Sequence, residues 1–395
     1  MLIFKKSIGK DKSLCTIPVV LWSFIFFLWY HPTQLSAQAI NLSLWPNIST
    51  QRLDTLRGHT LLNIGLNSRM NKLSGIGANV LGATTHRSVH GVQAAGLFNI
   101  TKGEVRGIQL AGITNVTSEN LWGVSLSGLV NMVGTQVEGL LATGALNIVG
   151  DQVHGIAVSG LVNIVGGDTE GVQLAGISNV SRNSVSGLQL SGLFNASGDV
   201  TGFQITSLLN VAGKEVKGLQ LALANAASEV SGLQIGLFNY YAKALHGFQL
   251  GLINANPLTR WQLLANGGTS TWFNVGMRFK NPTYYTLLTL GTKYRQLSAN
   301  NLVFTYRAGL AIPLLHQVEL SGDLGFQHVE TFRKHLPVNR LMNLQARLNL
   351  EYQLSKGTAI FLTGGYEQAY TYRHSHKLHH GFFAEIGTAF DLITR

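Results

Sequence analysis

The sequence predicts an all-β protein in two parts: a parallel β-solenoid-like repeat array, followed by an antiparallel β-barrel of the outer-membrane type. Three observations carry this. A single phrase, Gly-(Leu/Val/Ile/Phe)-Gln-Leu-(Ser/Ala)-Gly-Leu-Phe-Asn, recurs eleven times across residues 91–254. Apolar and polar residues alternate by two both in the phrase and in the carboxyl-terminal third, which is the period of a strand and not of a helix. The chain also has 45 glycines and only seven prolines, a composition suited to turns and extended backbone.

Taken in order, residues 1–39 read as an export signal. Lys5, Lys6, Lys10 and Lys12 precede an apolar run over 15–30, and Ala37-Gln38-Ala39 offers small residues for cleavage. The alternative is a retained membrane helix, and either reading places the remainder outside the cytoplasm. Cys15, the only cysteine, lies inside this segment, so the mature chain forms no disulfide and must rely on backbone ladders and packing. The formal charge of +11 includes four lysines and one aspartate of the signal, which leaves 25 minus 17, or +8. These charges are scattered through connectors and the last third. A nucleic-acid binder would gather them on one face among aromatics, so no nucleic acid is expected.

Residues 40–90 are expected to hold amino-terminal strands and imperfect repeats, because Gly75 falls sixteen before Gly91 and 60–67 resembles a degenerate unit. End repeats are atypical where they protect an open edge. The glycine-rich run 75–82 lacks the Lys-Ser/Thr ending of a phosphate loop.

The repeat proper spans 91–256. Its opening glycines fall at 91, 107, 123, 139, 155, 171, 187, 202, 218, 232 and 247. Its closing asparagines are Asn99, Asn115, Asn131, Asn147, Asn163, Asn179, Asn195, Asn210, Asn225, Asn239 and Asn254, a period of sixteen that slips to fourteen or fifteen. In the solenoid reading each unit is one coil, the glycines permit tight corners, and the asparagines form a structural ladder along one edge. The alternative is one continuous large β-barrel in which each unit is a strand. Two observations favour coils. The period is a single unit, whereas a meander makes odd and even strands inequivalent. Ser191-Gly192 also contracts to a lone Gly236 or Gly251 in late units, a loss that would flip every later side chain of a continuous strand. Against coils stands the absence of Asp, Glu, Lys, Arg and His between Gly and Asn in all eleven units, since a water-exposed stack normally carries charge.

Residues 257–395 change pattern. Leu344, Ala346, Leu348, Leu350, Tyr352 and Leu354 alternate with Gln345, Arg347, Asn349, Glu351 and Gln353, and 318–327 repeats the arrangement. Further runs at 272–279, 284–295, 302–314, 358–370 and 382–392 bring the total to about seven strands. Arg347 on a lipid-facing side would cost about 2–4 kcal/mol, so it should point into the lumen with Glu351. Tyr284, Tyr285, Tyr294 and Tyr372 at strand ends fit a membrane-interface girdle. A soluble sandwich or lipocalin-like barrel shares the alternation.

The repeats resemble those of the bacterial surface-repeat-containing proteins of spirochaetes and Bacteroidetes, known by Gly-Leu-Gln-x-x-Gly-Leu-x-Asn units like residues 187–195. The resemblance covers 91–256, and 247–257 looks like the usual exit from such an array. It implies a cell-envelope address and brings no catalytic residue.

No catalytic motif, cysteine ligand set or calcium-loop spacing occurs, so no enzyme activity and no cofactor is expected. The one dense cluster, His374, His376, His379 and His380, offers imidazoles of the kind that hold Zn or Cu. It equally reads as a basic solvated loop, because no carboxylate in the tract orients the ligands. Glu319, Asp323, Arg347 and Glu351 read as lumen polarity or mutual ion pairs. The expected role is that of a non-enzymatic outer-membrane or surface protein. Its expected partners are outer-membrane lipid and, through the Gln and Asn edge, surface polysaccharide or another envelope or host protein. A channel for small polar solutes is the alternative, and strand number decides between them.

Overall fold

A computed structural model describes residues 39–50, 59–293, 300–332, 339–372 and 377–392. The chain forms two compact units, 1–118 and 119–395. The proposed signal and Cys15 lie outside the described residues.

In the first unit, parallel pairing begins at Ile40–Trp45, whose residues 40–43 lie beside 62–65 of the strand His59–Ala95. Gly75 belongs to the glycine column, because a Cβ on Gly91 would lie 2.1 Å from its carbonyl oxygen. The imperfect repeats are therefore stacked like the regular ones. Their asparagines, however, use another column: Asn41 donates to Asn63 (2.8 Å) and Asn63 to Asn79 (3.1 Å), while Ala83 stands opposite Asn99. Asn99 then donates to Asn115 at 2.9 Å.

The second unit contains coils and a barrel. From the Gly123 coil to the Gly187 coil each has two strands, a longer one through the opening glycine and a shorter one through the asparagine, as in Ser184–Ser191 and Phe194–Ser197. Later, one strand, Leu209–Leu221, carries both Asn210 and Gly218, and Gly232 and Gly247 precede the short strands Leu233–Ile235 and Phe248–Leu250. Neighbouring coils pair in parallel with like residues opposite: Gly171 beside Gly187, Gln173 beside Gln189, Asn179 beside Asn195. The opening glycine is not at a corner, as the sequence suggested, but inside the longer strand. Gly187 has φ +133°, and a Cβ there would meet the Gly171 carbonyl oxygen at 2.1 Å. Only glycine allows both the dihedral and the approach. The corner belongs to residues such as 192–193, and the late one-residue loss is absorbed there. Leu221 and Ala224, on either side of the shortened corner, keep their register with Ile205 and Leu209 of the preceding, longer corner.

The coil interior is polar. Asn131, Asn147, Asn163, Asn179, Asn195, Asn210, Asn225, Asn239 and Asn254 form one unbroken ladder, each Nδ2 donating to the next Oδ1 at 2.8–3.1 Å. In the coils from Asn131 to Asn225 the same amide also donates to a backbone carbonyl one coil on, for example Asn163 to Leu174 O at 2.8 Å. A second ladder runs the opposite way: Gln189 donates to Gln173, Gln204 to Gln189, Gln220 to Gln204, Gln234 to Gln220 and Gln249 to Gln234, at 2.6–2.9 Å. A buried valine column (Val137, Val153, Val185, Val200, Val216, Val230) completes the interior. The leucines, isoleucines and phenylalanines of the phrase point outward, with Leu161 47% and Phe203 52% exposed.

The barrel is closed by eight antiparallel strands. They are β1 (Arg260–Gly268), β2 (Phe273–Lys280), β3 (Tyr284–Thr292), β4 (Asn300–Leu315), β5 (Val318–Phe332), β6 (Asn339–Ser355), β7 (Thr358–Thr371) and β8 (Lys377–Asp391). β8 returns to β1, with Gln262 opposite Asp391. β1 is the strand that sequence reading missed. Short turns at 281–283, 316–317 and 356–357 mark one end, where the chain enters, and longer connections at 293–299 and 333–338 mark the other.

Replacing Asn179 by Ala strips hydrogen-bond partners from Asn163, Asn195 and Leu190. At about 1–3 kcal/mol for each buried group left unpaired, a loss of several kcal/mol is expected. Denaturant titration followed by circular dichroism checks it, and an unchanged midpoint would deny the ladder a stabilising role.

Candidate functional site

The barrel interior is where the chemistry-bearing side chains converge. Alternation along each strand turns Arg278, Lys280, Arg307, Asp323, Arg347, Glu351, Glu367 and Glu385 inward, and all eight are buried. Among the described residues that is four cations against four carboxylates. Arg347 holds Asp323 with two parallel bonds (Nε–Oδ1 2.8 Å, Nη2–Oδ2 2.9 Å) and reaches Glu385 at 3.2 Å. Asp323 also accepts from Tyr285 (2.7 Å) and Asn349 (2.9 Å), with Arg307 4.0 Å away. Nearer the short-turn end, Glu351 is gripped by Arg278 (2.7 Å) and Lys280 (3.0 Å), and Lys280 also pairs with Glu319 at 2.6 Å. Towards the other end Glu367 accepts from Gln345 at 2.8 Å.

Eight strands leave an interior that side chains fill. The void within it, lined by Asn274, Arg278, Tyr285, Arg307, Arg347 and Asn349 among others, measures about 10 Å³, on the order of one water molecule. Arg347 and Glu351 point inward as expected, but in separate clusters. Arg278, Lys280, Arg307 and Glu385 escaped the sequence reading, although the alternation of Asn274, Gly276, Arg278 and Lys280 with Phe273, Val275, Met277 and Phe279 was the available signal.

The outer wall is apolar. Leu310, Ile312, Leu324, Leu348, Phe382 and Ile386 are all well exposed. Between them the small residues Ala308, Gly322, Ala346 and Gly364 leave a shallow depression of about 880 Å³. Nothing lies within 4 Å of where a Cβ on Gly364 would sit.

One part of that wall is polar, and it meets the last coil. Tyr284 donates to the Oε1 of Gln249 at 2.7 Å and so terminates the glutamine ladder. Thr286 donates to Leu252 O (2.9 Å), Tyr306 to Gly251 O (2.8 Å) and Asn281 to Asn254 O (2.9 Å). Four side-chain donors thus satisfy acceptors that the final coil would otherwise leave open. Tyr306 stands opposite Leu288, midway along β3, so this seam climbs the wall from the short-turn end.

Two expectations change here. Tyr284 and Tyr285 do not form a girdle: one caps the coil, the other faces Asp323 in the lumen. Tyr372 lies exposed just past the end of β7, beside His328 (2.9 Å), and Tyr294 lies outside the described residues. The Gln and Asn side chains are buried, so no Gln and Asn edge is presented to a polysaccharide or a protein partner. Of the histidine candidates, His374 and His376 lie outside the described residues, as does the side chain of His379. His380 is exposed on β8, with its ring 6.3 Å from that of Tyr366. Among the described residues no group of three or more His, Cys, Asp or Glu is placed to hold a metal.

No protein-family model matches the chain, and no curated protein does. Two solved structures align with 34% of the chain over 96% of their own lengths. They are the amino-terminal β-barrel domain of Pseudomonas aeruginosa OprF (11% identity, TM-score 0.24) and Neisserial surface protein A, NspA (10% identity, TM-score 0.24).

Asp323→Asn removes one partner of a buried ion pair and leaves Arg347 and Arg307 without their shared carboxylate. A loss of about 3–5 kcal/mol is expected. It is read as a lower urea midpoint for the lipid-reconstituted full chain, and Leu324→Ala, on the outer wall beside it, should shift that midpoint far less.

Proposed function

We propose that the chain is a non-enzymatic outer-membrane protein, exported by its amino-terminal signal, in which an occluded eight-stranded barrel anchors a β-solenoid. The observation that carries this reading is the pairing of an apolar outer wall with an interior closed by four cations and four carboxylates. A soluble lipocalin-like barrel distributes polarity the other way, with apolar side chains inside, and a membrane barrel has this one. The role is structural: the barrel holds the last coil through Tyr284, Thr286, Tyr306 and Asn281. Any binding of polysaccharide or of another envelope or host protein falls to the charged connectors, because the repeated amides face inward. In outer-membrane barrels the short turns are periplasmic, so the chain passes from the solenoid into the barrel on that side.

The channel alternative requires an open path, and the filled lumen argues against one. Full-length protein reconstituted in a planar bilayer should give no steady conductance. Stable open steps would overturn the anchor reading and make solute transport the function.

A further inference from the structure

We propose that the solenoid of the second unit is itself embedded in lipid, its apolar flank sunk among acyl chains beside the barrel and its connector ridge left in water. This rests on the reading of the barrel as a membrane anchor and extends it to the repeats.

The argument begins with what each coil turns outward. In the Gly155 coil the outward positions hold Ile156, Val158, Leu161, Val162 and Ile164, and in the Gly187 coil Leu188, Leu190, Leu193, Phe194 and Ala196. Across all eleven units none of these positions carries a charge. The interior meanwhile holds two ladders of amides. In water this arrangement is wrong twice over, because it exposes the residues that gain most from burial and buries those that water solvates well. Against hydrocarbon both terms reverse, and a fully paired polar interior under an apolar skin is what a membrane requires of a β-structure.

The charge is segregated on the same rod. Glu138, Asp151, Glu170, Arg182, Lys214 and Lys243 all sit in or beside connectors and are exposed, and pairs such as Lys214–Asp199 (3.3 Å) bridge successive coils there. The solenoid is thus amphipathic around its axis, with one flank apolar and one ridge charged, the condition for lying at a lipid–water boundary.

Two further observations favour lipid over a second protein. The last coil is joined to the outer wall of the barrel as far up as Tyr306, on the surface whose exposed residues include Leu310, Ile312 and Leu324, so the two apolar surfaces adjoin. Of the open edge that lipid would not tolerate, three backbone carbonyls and the Gln249 amide oxygen are met there by the four donors of the seam. Over the coils of the second unit the outward positions also stay uncharged throughout, without the polar rim and central anchor residues of a protein interface.

The test uses the full chain with Cys15→Ser, reconstituted in phospholipid vesicles and carrying one nitroxide at a time at Leu161→Cys, Leu193→Cys, Asp151→Cys or Ile386→Cys. Collision with oxygen, which partitions into lipid, is compared with collision with a water-soluble nickel chelate. Labels at 161, 193 and 386 should respond to oxygen and lose access to the chelate, and the label at 151 should do the reverse. If 161 and 193 meet the chelate as 151 does, the solenoid stands in water and the inference fails. If they are shielded from both reagents, protein covers the flank and it fails equally. The label at 386 separates these failures from failure of the anchor: shielded from the chelate it upholds the barrel reading whatever the repeats do, and open to the chelate it removes both.

Discussion

A side-chain amide shut inside a coil needs acceptors for its two N–H groups and a donor for its oxygen, and inside this solenoid the best-placed source is the same amide one coil away. That constraint dictates most of the repeat. It demands Asn opposite Asn and Gln opposite Gln, and therefore a spacing that returns each to the same place on the coil. It demands that coils stack at strand spacing without side chains between their backbones, which is why the opening position is glycine, where a Cβ would lie only 2.1 Å from a carbonyl oxygen of the preceding coil. Slippage to fourteen or fifteen residues is tolerated where no ladder amide is involved, at the corner and in the connector between Asn and the next Gly, and nowhere along the ladders.

The barrel obeys the same rule with different chemistry. Its interior is polar because its exterior is not, and charges buried there must be paired, so carboxylates and cations interlock in the lumen. Such a network adds little net stability over an apolar filling of equal volume. It does fix which side of the wall is inside, since one inverted strand would strand several charges in the wrong medium. The two modules meet where each has a deficit: the final coil has unpaired acceptors, and the wall beside it turns Tyr284, Thr286 and Tyr306 outward where the rest of the wall is apolar.

The solenoid was legible in the sequence for reasons that survive inspection. A single-unit period and a one-residue contraction are both intolerable to a barrel meander, and the structure places the contraction at Ala222, between strands that keep register with the preceding coil on either side. What the sequence did not declare was which face lies inside. Alternation by two separates Leu188 and Leu190 from Gln189 without saying which set is buried, and the usual preference for apolar interiors points the wrong way here. The informative signal was strictness: Asn recurs at all eleven sites because each must bond its neighbour, while the outward positions drift among Leu, Ile, Val, Phe and Ala, with Met132, Tyr240, Thr114 and Ser178 among them, since any uncharged residue suffices. β1 was missed because Trp261, Leu263 and Leu264 give too short an alternation beside the end of the repeat. The seam was hidden for another reason. Tyr284 and Tyr306 are ordinary barrel residues in sequence, and only the end of the coil gives them a task.

The opposed direction of the two ladders follows from the same surroundings. Aligned amide dipoles add, and in a low-dielectric setting their sum is felt at the ends of the stack. From Asn131 to Asn254 every asparagine donates forward along the chain, while from Gln249 to Gln173 every glutamine donates backward, so over those coils the two dipoles oppose each other. In the first three coils of the second unit the glutamine is replaced by Ser125, Leu141 and Ala157, and the asparagine ladder runs alone. The compensation is therefore concentrated in the coils nearest the barrel. There the glutamine ladder ends on a bare acceptor, the Gln249 oxygen, and the wall meets it with a hydroxyl donor from Tyr284. The seam thus closes the backbone edge and the side-chain ladder together, which ties the position of the last coil to particular atoms of β3 and β4 and not to apolar contact alone.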